Sequence, residues 1–321
     1  MLGKRPMPVY IFTGFLDGGK TSFIRQTMDE GQFKDGMTTL YIVCEEGEED
    51  IDIIRLNDNK FVVRKIEDED AVSEDILKKF EKEVKPARVI IETNGLWDIE
   101  ELLDAFPDNW QIAEVITPVD CTTFEMYLNN MKMMMTNQFT YSDLVVFNRC
   151  QENHDRAMFK RMVRAVNRRA QVLYETLDGK VEDNVPEEMP YDMEAPVIEI
   201  DDEDFGIFYI DSLDNLANYI DKTVKFKAMA YHPKESKGAK GASKLFVVGR
   251  MAMTCCADDI AFVGFPCECE SGDSFKNKEW VRVTAKVKSV MNKEYNEPAP
   301  FLIVEAIEKA EAAEEEVVYF N

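Results

Sequence analysis

Five short apolar runs punctuate the first half of the chain: Val9-Tyr10-Ile11-Phe12, Leu40-Tyr41-Ile42-Val43, Val89-Ile90-Ile91, Val115-Ile116 and Leu144-Val145-Val146-Phe147. They alternate little, as strands buried on both faces of a parallel sheet must. Between them lie stretches with helical spacing. The clearest puts Met158, Phe159, Met162, Val163 and Val166 on one face after Asn153-His154-Asp155. Strand and helix in alternation predict an α/β fold with a doubly wound, mostly parallel sheet. Around Asp201-Asp202-Glu203-Asp204 the pattern changes. A short helix is expected near 213–219, then β-type runs at 224–231, 245–253, 280–287 and 301–307. Strands with loop punctuation and almost no helix predict a small β-rich domain, a barrel or a sandwich. The boundary is expected near 195–210, giving domains over 1–200 and 205–321.

Composition narrows the class. With 45% apolar and 31% charged residues in 321, the chain is neither disordered nor fibrous. The 38 basic against 62 acidic residues leave a net charge of −24, which repels phosphate backbones and anionic lipid surfaces. No nucleic-acid partner is expected. No apolar run approaches the roughly 18 residues of a membrane helix, and the start shows no cleavage site, so the reading is a cytoplasmic protein without membrane insertion. Seven cysteines, an odd number, read as thiols or metal ligands rather than a disulfide framework.

The strongest chemical signal is Gly14-Phe15-Leu16-Asp17-Gly18-Gly19-Lys20-Thr21, a G-x-x-x-x-G-K-[ST] loop after a strand and before the helix-compatible Ser22-Phe23-Ile24-Arg25-Gln26. Gly14, Gly18 and Gly19 let backbone N–H groups curl around phosphate oxygens. Lys20 reaches the β and γ phosphates, and the Thr21 hydroxyl ligates Mg²⁺. Asp17 must point outward or meet the metal, since a carboxylate beside polyphosphate is repulsive. A P-loop enzyme also needs an acid at a nearby strand end and a glycine that senses the γ-phosphate. Val89-Ile90-Ile91-Glu92-Thr93-Asn94-Gly95 supplies both as Glu92 and Gly95. Asn148-Arg149-Cys150-Gln151 sits where a GTPase carries Asn-Lys-x-Asp, so Asn148 and Arg149 are candidates for holding the base. The acidic run over 45–52 reads either as a solvated loop or as a switch placing Glu45, with Glu48 or Asp52, near a hard cation.

In the second half, Cys255-Cys256-Ala257-Asp258 and Cys267-Glu268-Cys269 fall within fifteen residues. One strand and its following loop, doubling back to the next strand, would converge three of these thiolates and the Asp258 carboxylate on a tetrahedral ion such as Zn²⁺, or else Cys255 and Cys267 are core residues. Lys225, Lys227, Lys234, Lys237, Lys240 and Lys244 make a local basic patch, with Phe226, Phe246 and Trp280 either stacking platforms or core. Met131, Met133, Met134 and Met135 read as a helix packing surface before a soft-metal site.

The order of these motifs resembles the CobW-type P-loop GTPases, relatives of the nickel-insertion GTPases HypB and UreG. The resemblance covers about 7–175 and rests on the P-loop, on Cys44-Glu45-Glu46-Gly47-Glu48-Glu49-Asp50-Ile51-Asp52, on Ile91-Glu92-Thr93-Asn94-Gly95-Leu96, on Val119-Asp120, and on 143–148 followed by Asn167-Arg168-Arg169-Ala170. It implies a metal-linked GTPase, a nucleotide switch that loads or delivers a divalent metal to a client. Three positions depart from the family pattern. The family's Cys-x-Cys-Cys metal motif has no counterpart in 61–70. Cys44 stands where the family has asparagine and reads as a buried small thiol. Gln151 replaces the aspartate that accepts both guanine donors, so the expected nucleotide is GTP with ATP left open. Over about 215–321, 248–259 and Trp280-Val281-Arg282-Val283 resemble the C-terminal domain of YcgQ-type proteins, which accompany a predicted permease. That resemblance implies an OB-like barrel, a link to metal handling and a permease as an alternative partner. The expected function is a Mg²⁺-dependent GTPase coupling its nucleotide state to metal trafficking, homo-oligomerisation remaining open. The alternative is a nucleotide-gated adaptor with negligible turnover that docks a transporter or partner protein.

Overall fold

The computed structural model describes residues 6–45, 52–183, 188–233, 245–254, 259–271, 274–292 and 296–320. The chain forms two compact units, Met1–Val185 and Pro186–Asn321.

The first unit runs β1 (Met7–Phe12), α1 (Lys20–Asp29), β2 (Thr39–Val43), α2 (Ile53–Asp58), β3 (Phe61–Lys65), α3 (Glu74–Val84), β4 (Arg88–Glu92), α4 (Ile99–Asp104), β5 (Trp110–Asp120), α5 (Cys121–Asn130), α6 (Lys132–Thr140), β6 (Leu144–Cys150), α7 (Arg156–Val166), β7 (Gln171–Thr176) and β8 (Val181–Glu182). These eight strands form one sheet in the order β3-β2-β4-β1-β5-β6-β7-β8. Every neighbouring pair is parallel except β7 with β8. All five expected apolar runs lie in strands, and Val9, Ile11, Leu40, Ile90, Ile91 and Val145 are inaccessible to solvent. Helices cover both faces, so apolar side chains on either side of each strand leave water. The helix expected after Asp155 is α7, whose first turn is capped by the Asp155 carboxylate accepting from the Met158 N–H at 2.9 Å. Strands β3 and β7 were not among the expected runs; β3 lies at the sheet edge and carries Arg64 and Lys65.

The register brings chemistry to one end of this sheet. Phe12 and Val43 both lie opposite Glu92, and Asp120 lies opposite Asn148. The loops leaving the carboxyl ends of β1, β2, β4 and β6 therefore converge, the usual place for a ligand in a parallel sheet.

The second unit contains β9 (Ile198–Glu199), α8 (Phe205–Asp214), β10 (Thr223–Tyr231), β11 (Leu245–Ala252), β12 (Ala261–Glu268), β13 (Trp280–Asn292), β14 (Glu297–Lys309) and β15 (Val317–Val318). Its pairings run round a closed circuit, β10 to β13 to β14 to β12 to β11 and back to β10, antiparallel except between β12 and β14. The segment around 198 joins this unit because β9 pairs in parallel with β10. The helix expected at 213–219 begins earlier, at Phe205, and is followed by one 3₁₀ turn, Leu216–Asn218. Phe205 and Phe208 on that helix pack against Phe226 and Phe265, so burial of the aromatic pair fixes where the helix starts. Phe226 and Phe246 are core residues, each 2% exposed. Lys225 and Lys227 are tied to Glu199 and Asp202 at 2.7 and 2.6 Å, which neutralises this part of the basic patch.

Among the described residues no helix is long and apolar enough to cross a membrane.

Candidate nucleotide site

The loop between β1 and α1 turns on Gly19, the residue before the helix, with φ of +100°. A side chain there would be strained, and its Cβ would meet the Asn148 amide nitrogen at 2.7 Å. No side chain caps the start of α1, so its first N–H groups remain available to an anion. Phe15 is buried under the loop and stacks on Tyr127 of α5 at 4.5 Å between ring centroids. Asp17 is exposed, with φ of +60°, which resolves its expected conflict with phosphate by the outward choice.

Lys20 is 4% exposed. Its ammonium donates to the carbonyls of Gly14 at 2.6 Å and Phe15 at 3.0 Å, and to the Glu45 carboxylate at 2.7 Å. Glu45, expected beside a metal, is thus the counter-ion of the P-loop lysine. The Thr21 hydroxyl donates to Glu92 Oε1 at 2.6 Å, and the Tyr41 hydroxyl donates to Glu92 Oε2. Strand β4 places Glu92 at its carboxyl end, 4% exposed, beside the first turn of α1. A hydroxyl and a carboxylate side by side are the hard oxygen donors that Mg²⁺ takes. Gly95 packs directly on the loop, its position leaving no room for a Cβ beside the Gly14 carbonyl.

On the other flank, the Asn148 amide donates to the Gly18 carbonyl at 2.7 Å, while its Oδ1 is buried without a hydrogen-bond partner. An orphaned buried acceptor at a cavity wall fits a site that a ligand completes. Gly19, Ser22, Phe23, Asn148, Arg149 and Glu175 help line that cavity, of about 380 Å³. Arg149 donates to the Asp17 carbonyl at 3.1 Å and pairs with Asp120, which also caps α5. Gln151 is exposed, its N–H donating to His154 Nδ1 at 3.1 Å.

Cys44 ends buried beside this site, its N–H donating to the Glu92 carbonyl. Burial, reinforced by the Glu92 and Glu45 charges, pushes its thiol up to about 12, so it stays protonated at neutral pH. Asp52 caps α2 and pairs with Arg55 at 3.0 Å; Glu48 lies outside the described residues. On α6, Met135 is buried whereas Met133 and Met134 are exposed, so the methionines do not form one packing stripe.

The cysteines divide. Cys121 and Cys150 form a disulfide, which corrects the reading of all seven as thiols or ligands. They are 29 residues apart in sequence, but β5 and β6 are parallel neighbours ending side by side, with Cα atoms 5.4 Å apart. Cys267 is a core residue of β12, its thiol against the Phe246 carbonyl, and burial beside Cys269 raises its pKa. Cys269 is buried next to Ser271. Cys255, Cys256 and Asp258 lie outside the described residues. Among the described residues no three His, Cys, Asp or Glu side chains converge to hold a metal.

Sequence reasoning missed Gln138 and Tyr41. Gln138 is 3% exposed on α6, accepts from the Thr13 hydroxyl and the Gly14 N–H, and donates to the Gly95 carbonyl. The available signal was its place three residues after Met135 and beside Phe139, on the buried face of the helix.

A family model for the CobW/HypB/UreG nucleotide-binding domain matches residues 8–174, and one for the DUF1980 C-terminal domain matches residues 176–320. Both resemblances read from the sequence are met. Among solved structures, the Zn(II)-bound YjiA GTPase from E. coli is 17% identical with a TM-score of 0.42, over 72% of this chain and 75% of that one. The hydrogenase maturation factor HypB from Archaeoglobus fulgidus is 16% identical with a TM-score of 0.39, over 54% and 82%. No curated protein matches the chain. With a P-loop, an acid at a neighbouring strand end and a family match over more than half of its length, the chain belongs to the CobW/HypB/UreG family of nucleotide-binding domains.

Proposed function

We propose that this protein is a Mg²⁺-dependent cytoplasmic GTPase that couples nucleotide binding and hydrolysis to the handling of a divalent metal, as a metallochaperone does. The observation that carries the reading is the constellation of Lys20, Thr21 and Glu92 at one end of the sheet. Lys20 exchanges the Glu45 carboxylate for phosphate oxygens when nucleotide enters, and the loop amides at the start of α1 take up the remaining phosphate charge. Thr21 and Glu92 would hold Mg²⁺, which supplies charge neutralisation on the β and γ phosphates. Gly95 reports the γ-phosphate through its N–H. Glu45, released from Lys20, becomes free to meet a cation, and this ties nucleotide state to metal. Asn148 holds the base and Arg149 covers it. The metal-facing role would extend to the second unit through Cys255, Cys256, Asp258 and Cys269 as the four ligands of a Zn²⁺, Cys267 being taken up by the core. Of the two proteins of similar fold, YjiA is described as a Zn(II)-bound GTPase and HypB as a hydrogenase maturation factor.

The test is turnover of GTP against ATP by the purified protein, with and without Zn²⁺, Co²⁺ or Ni²⁺. Mg²⁺-dependent GTP hydrolysis that responds to one of these ions is expected. Tight GTP binding without turnover under any condition would favour the nucleotide-gated adaptor instead.

A further inference from the structure

We infer that Gln138 is a positioning residue that fastens the γ-phosphate-sensing turn at Gly95 to the P-loop, and thereby sets how well the site tells a nucleoside triphosphate from a diphosphate. This rests on the nucleotide-site reading above. One buried amide spans the two elements. Its oxygen accepts from the Thr13 hydroxyl and from the Gly14 N–H at 3.1 Å, and its nitrogen donates to the Gly95 carbonyl at 2.9 Å. Few side chains offer an acceptor and a donor in one rigid plane, and glutamine does so at the end of a stem long enough to reach from a helix. Gly95 is already pressed on the loop, its α-carbon facing the Gly14 carbonyl and the Phe15 α-carbon. The Gly14 carbonyl in turn receives the Lys20 ammonium. Contact and hydrogen bonding therefore join Lys20, Gly14, Gln138 and Gly95 in one chain.

The helix end is itself anchored. The Gln138 carbonyl accepts from Ser142 Oγ at 2.7 Å and from Thr117 Oγ1 at 3.4 Å, so α6 is held to the end of β5. An amide fixed at its root and satisfied at its tip does not swing freely, and losing one partner leaves a buried polar group unpaired. Diphosphate binding engages the loop amides and Lys20 without calling on Gly95. Only the triphosphate state needs the Gly95 turn in register with the loop, so the tether acts on that state selectively.

The substitution Gln138→Glu separates the two halves of the amide. It keeps an oxygen for Thr13 and Gly14 but puts an acceptor against the Gly95 carbonyl. A carboxyl buried at this position has a raised pKa, and once protonated it again donates. The side-chain and backbone groups bonded to Gln138 carry no charge. The charged groups facing that network are Lys20, its partner Glu45, and Glu92 on the adjoining strand. Parent and variant share them, so comparison at each pH cancels their effect.

The experiment is equilibrium binding of Mg·GDP and Mg·GTPγS to parent and Gln138→Glu between pH 5.5 and 8.5, with thermal melts as the fold control. At pH 8.5 the variant is expected to lose at least about tenfold in GTPγS affinity, the size of one lost buried hydrogen bond, with GDP affinity changed by less than about threefold. Towards pH 5.5 its GTPγS affinity should return to that of the parent. Equal losses for both nucleotides, or a GTPγS deficit that ignores pH, would assign Gln138 a purely structural role. Should Gln138→Glu fail to fold, Gln138→Asn, which keeps both groups on a shorter stem, carries the same test of the affinity ratio. If the parent binds neither nucleotide, the nucleotide-site reading falls and takes this inference with it. If the parent binds both and the variant keeps their ratio, only the inference falls.

Discussion

Replacing Gly95 by alanine probes the contact on which the nucleotide site closes. The new Cβ would lie 2.4 Å from the Gly14 carbonyl oxygen, 2.7 Å from the Phe15 α-carbon and 2.9 Å from the Gly14 carbonyl carbon. All three are backbone atoms, so no flexible side chain can yield. Ordinary contact begins near 3.4 Å, which means the turn and the loop must part by about 1 Å, an overpacking strain of about 1–3 kcal/mol. The same displacement stretches the bond from Gln138 to the Gly95 carbonyl and shifts the carbonyl that receives Lys20. For a unit of this size, ~2 kcal/mol corresponds to roughly 4–8 °C in Tm. Thermal melts should show that loss, and titration with a fluorescent GTP analogue should show triphosphate affinity falling with it. Gly31→Ala is the control: its φ is also +80°, the nearest atom to an added Cβ is Lys34 Cδ at 3.6 Å, an ordinary contact, and it lies past the end of α1, so its cost is backbone strain alone, about 1 kcal/mol, and nucleotide binding is spared. A Gly95→Ala protein as stable as the parent and equally avid for GTP would refute the packing of this turn on the P-loop.

Three further outcomes follow from the geometry. The Cys44 thiol keeps its proton in the folded state to about pH 12, whereas in the unfolded chain it ionises near its ordinary value of 9.0. The unfolded state then binds fewer protons above pH 9, so folding stability declines from there upward. Urea unfolding from pH 8 to 10.5 should show a shallower decline in Cys44→Ala, and parallel curves would contradict the buried thiol. Gln151→Asp supplies a second acceptor for guanine and should widen the preference for GTP over ATP in a competition titration; strong selectivity in the parent with no gain in the variant would show that base choice lies elsewhere. If the second-unit cysteines hold metal, the chain should retain about one Zn²⁺, with affinity rising with pH because thiols must deprotonate. Cys255→Ser/Cys269→Ser should lose it, and zinc content equal to that of the parent would contradict these ligands.

Five strands of the parallel sheet, β1, β2, β4, β5 and β6, were legible because burial on both faces leaves uninterrupted runs such as Val89-Ile90-Ile91, a pattern polar loops cannot imitate. Strand β12 was not, since Ala261–Glu268 mixes Gly264 and Pro266 with half-exposed positions, and its pairing with β11 and β14 makes it a strand. The P-loop, Thr21 and Glu92 were legible from local motifs whose chemistry is carried by neighbours in sequence. Gln138 was hidden because its partners, Thr13, Gly14 and Gly95, lie far away along the chain and meet it only in the folded sheet. The pairing of Glu45 with Lys20 was equally hidden: an acidic run says that charge is present, not which cation it faces. The Cys121 to Cys150 bond has the same origin, two strand ends made adjacent by topology.

The most direct measurement is calorimetric titration of the full chain with Mg·GTPγS, in the parent and in Lys20→Ala. Lys20 contributes charge-assisted hydrogen bonds of about 1.5–3 kcal/mol each to a phosphate in its reach, so the variant should bind at least about tenfold more weakly, and parent affinity should fall when Mg²⁺ is chelated. Saturable parent binding with that loss supports a nucleotide site built on Lys20, Thr21 and Glu92. A parent that binds no nucleotide, or a Lys20→Ala protein that binds as the parent does, would contradict it.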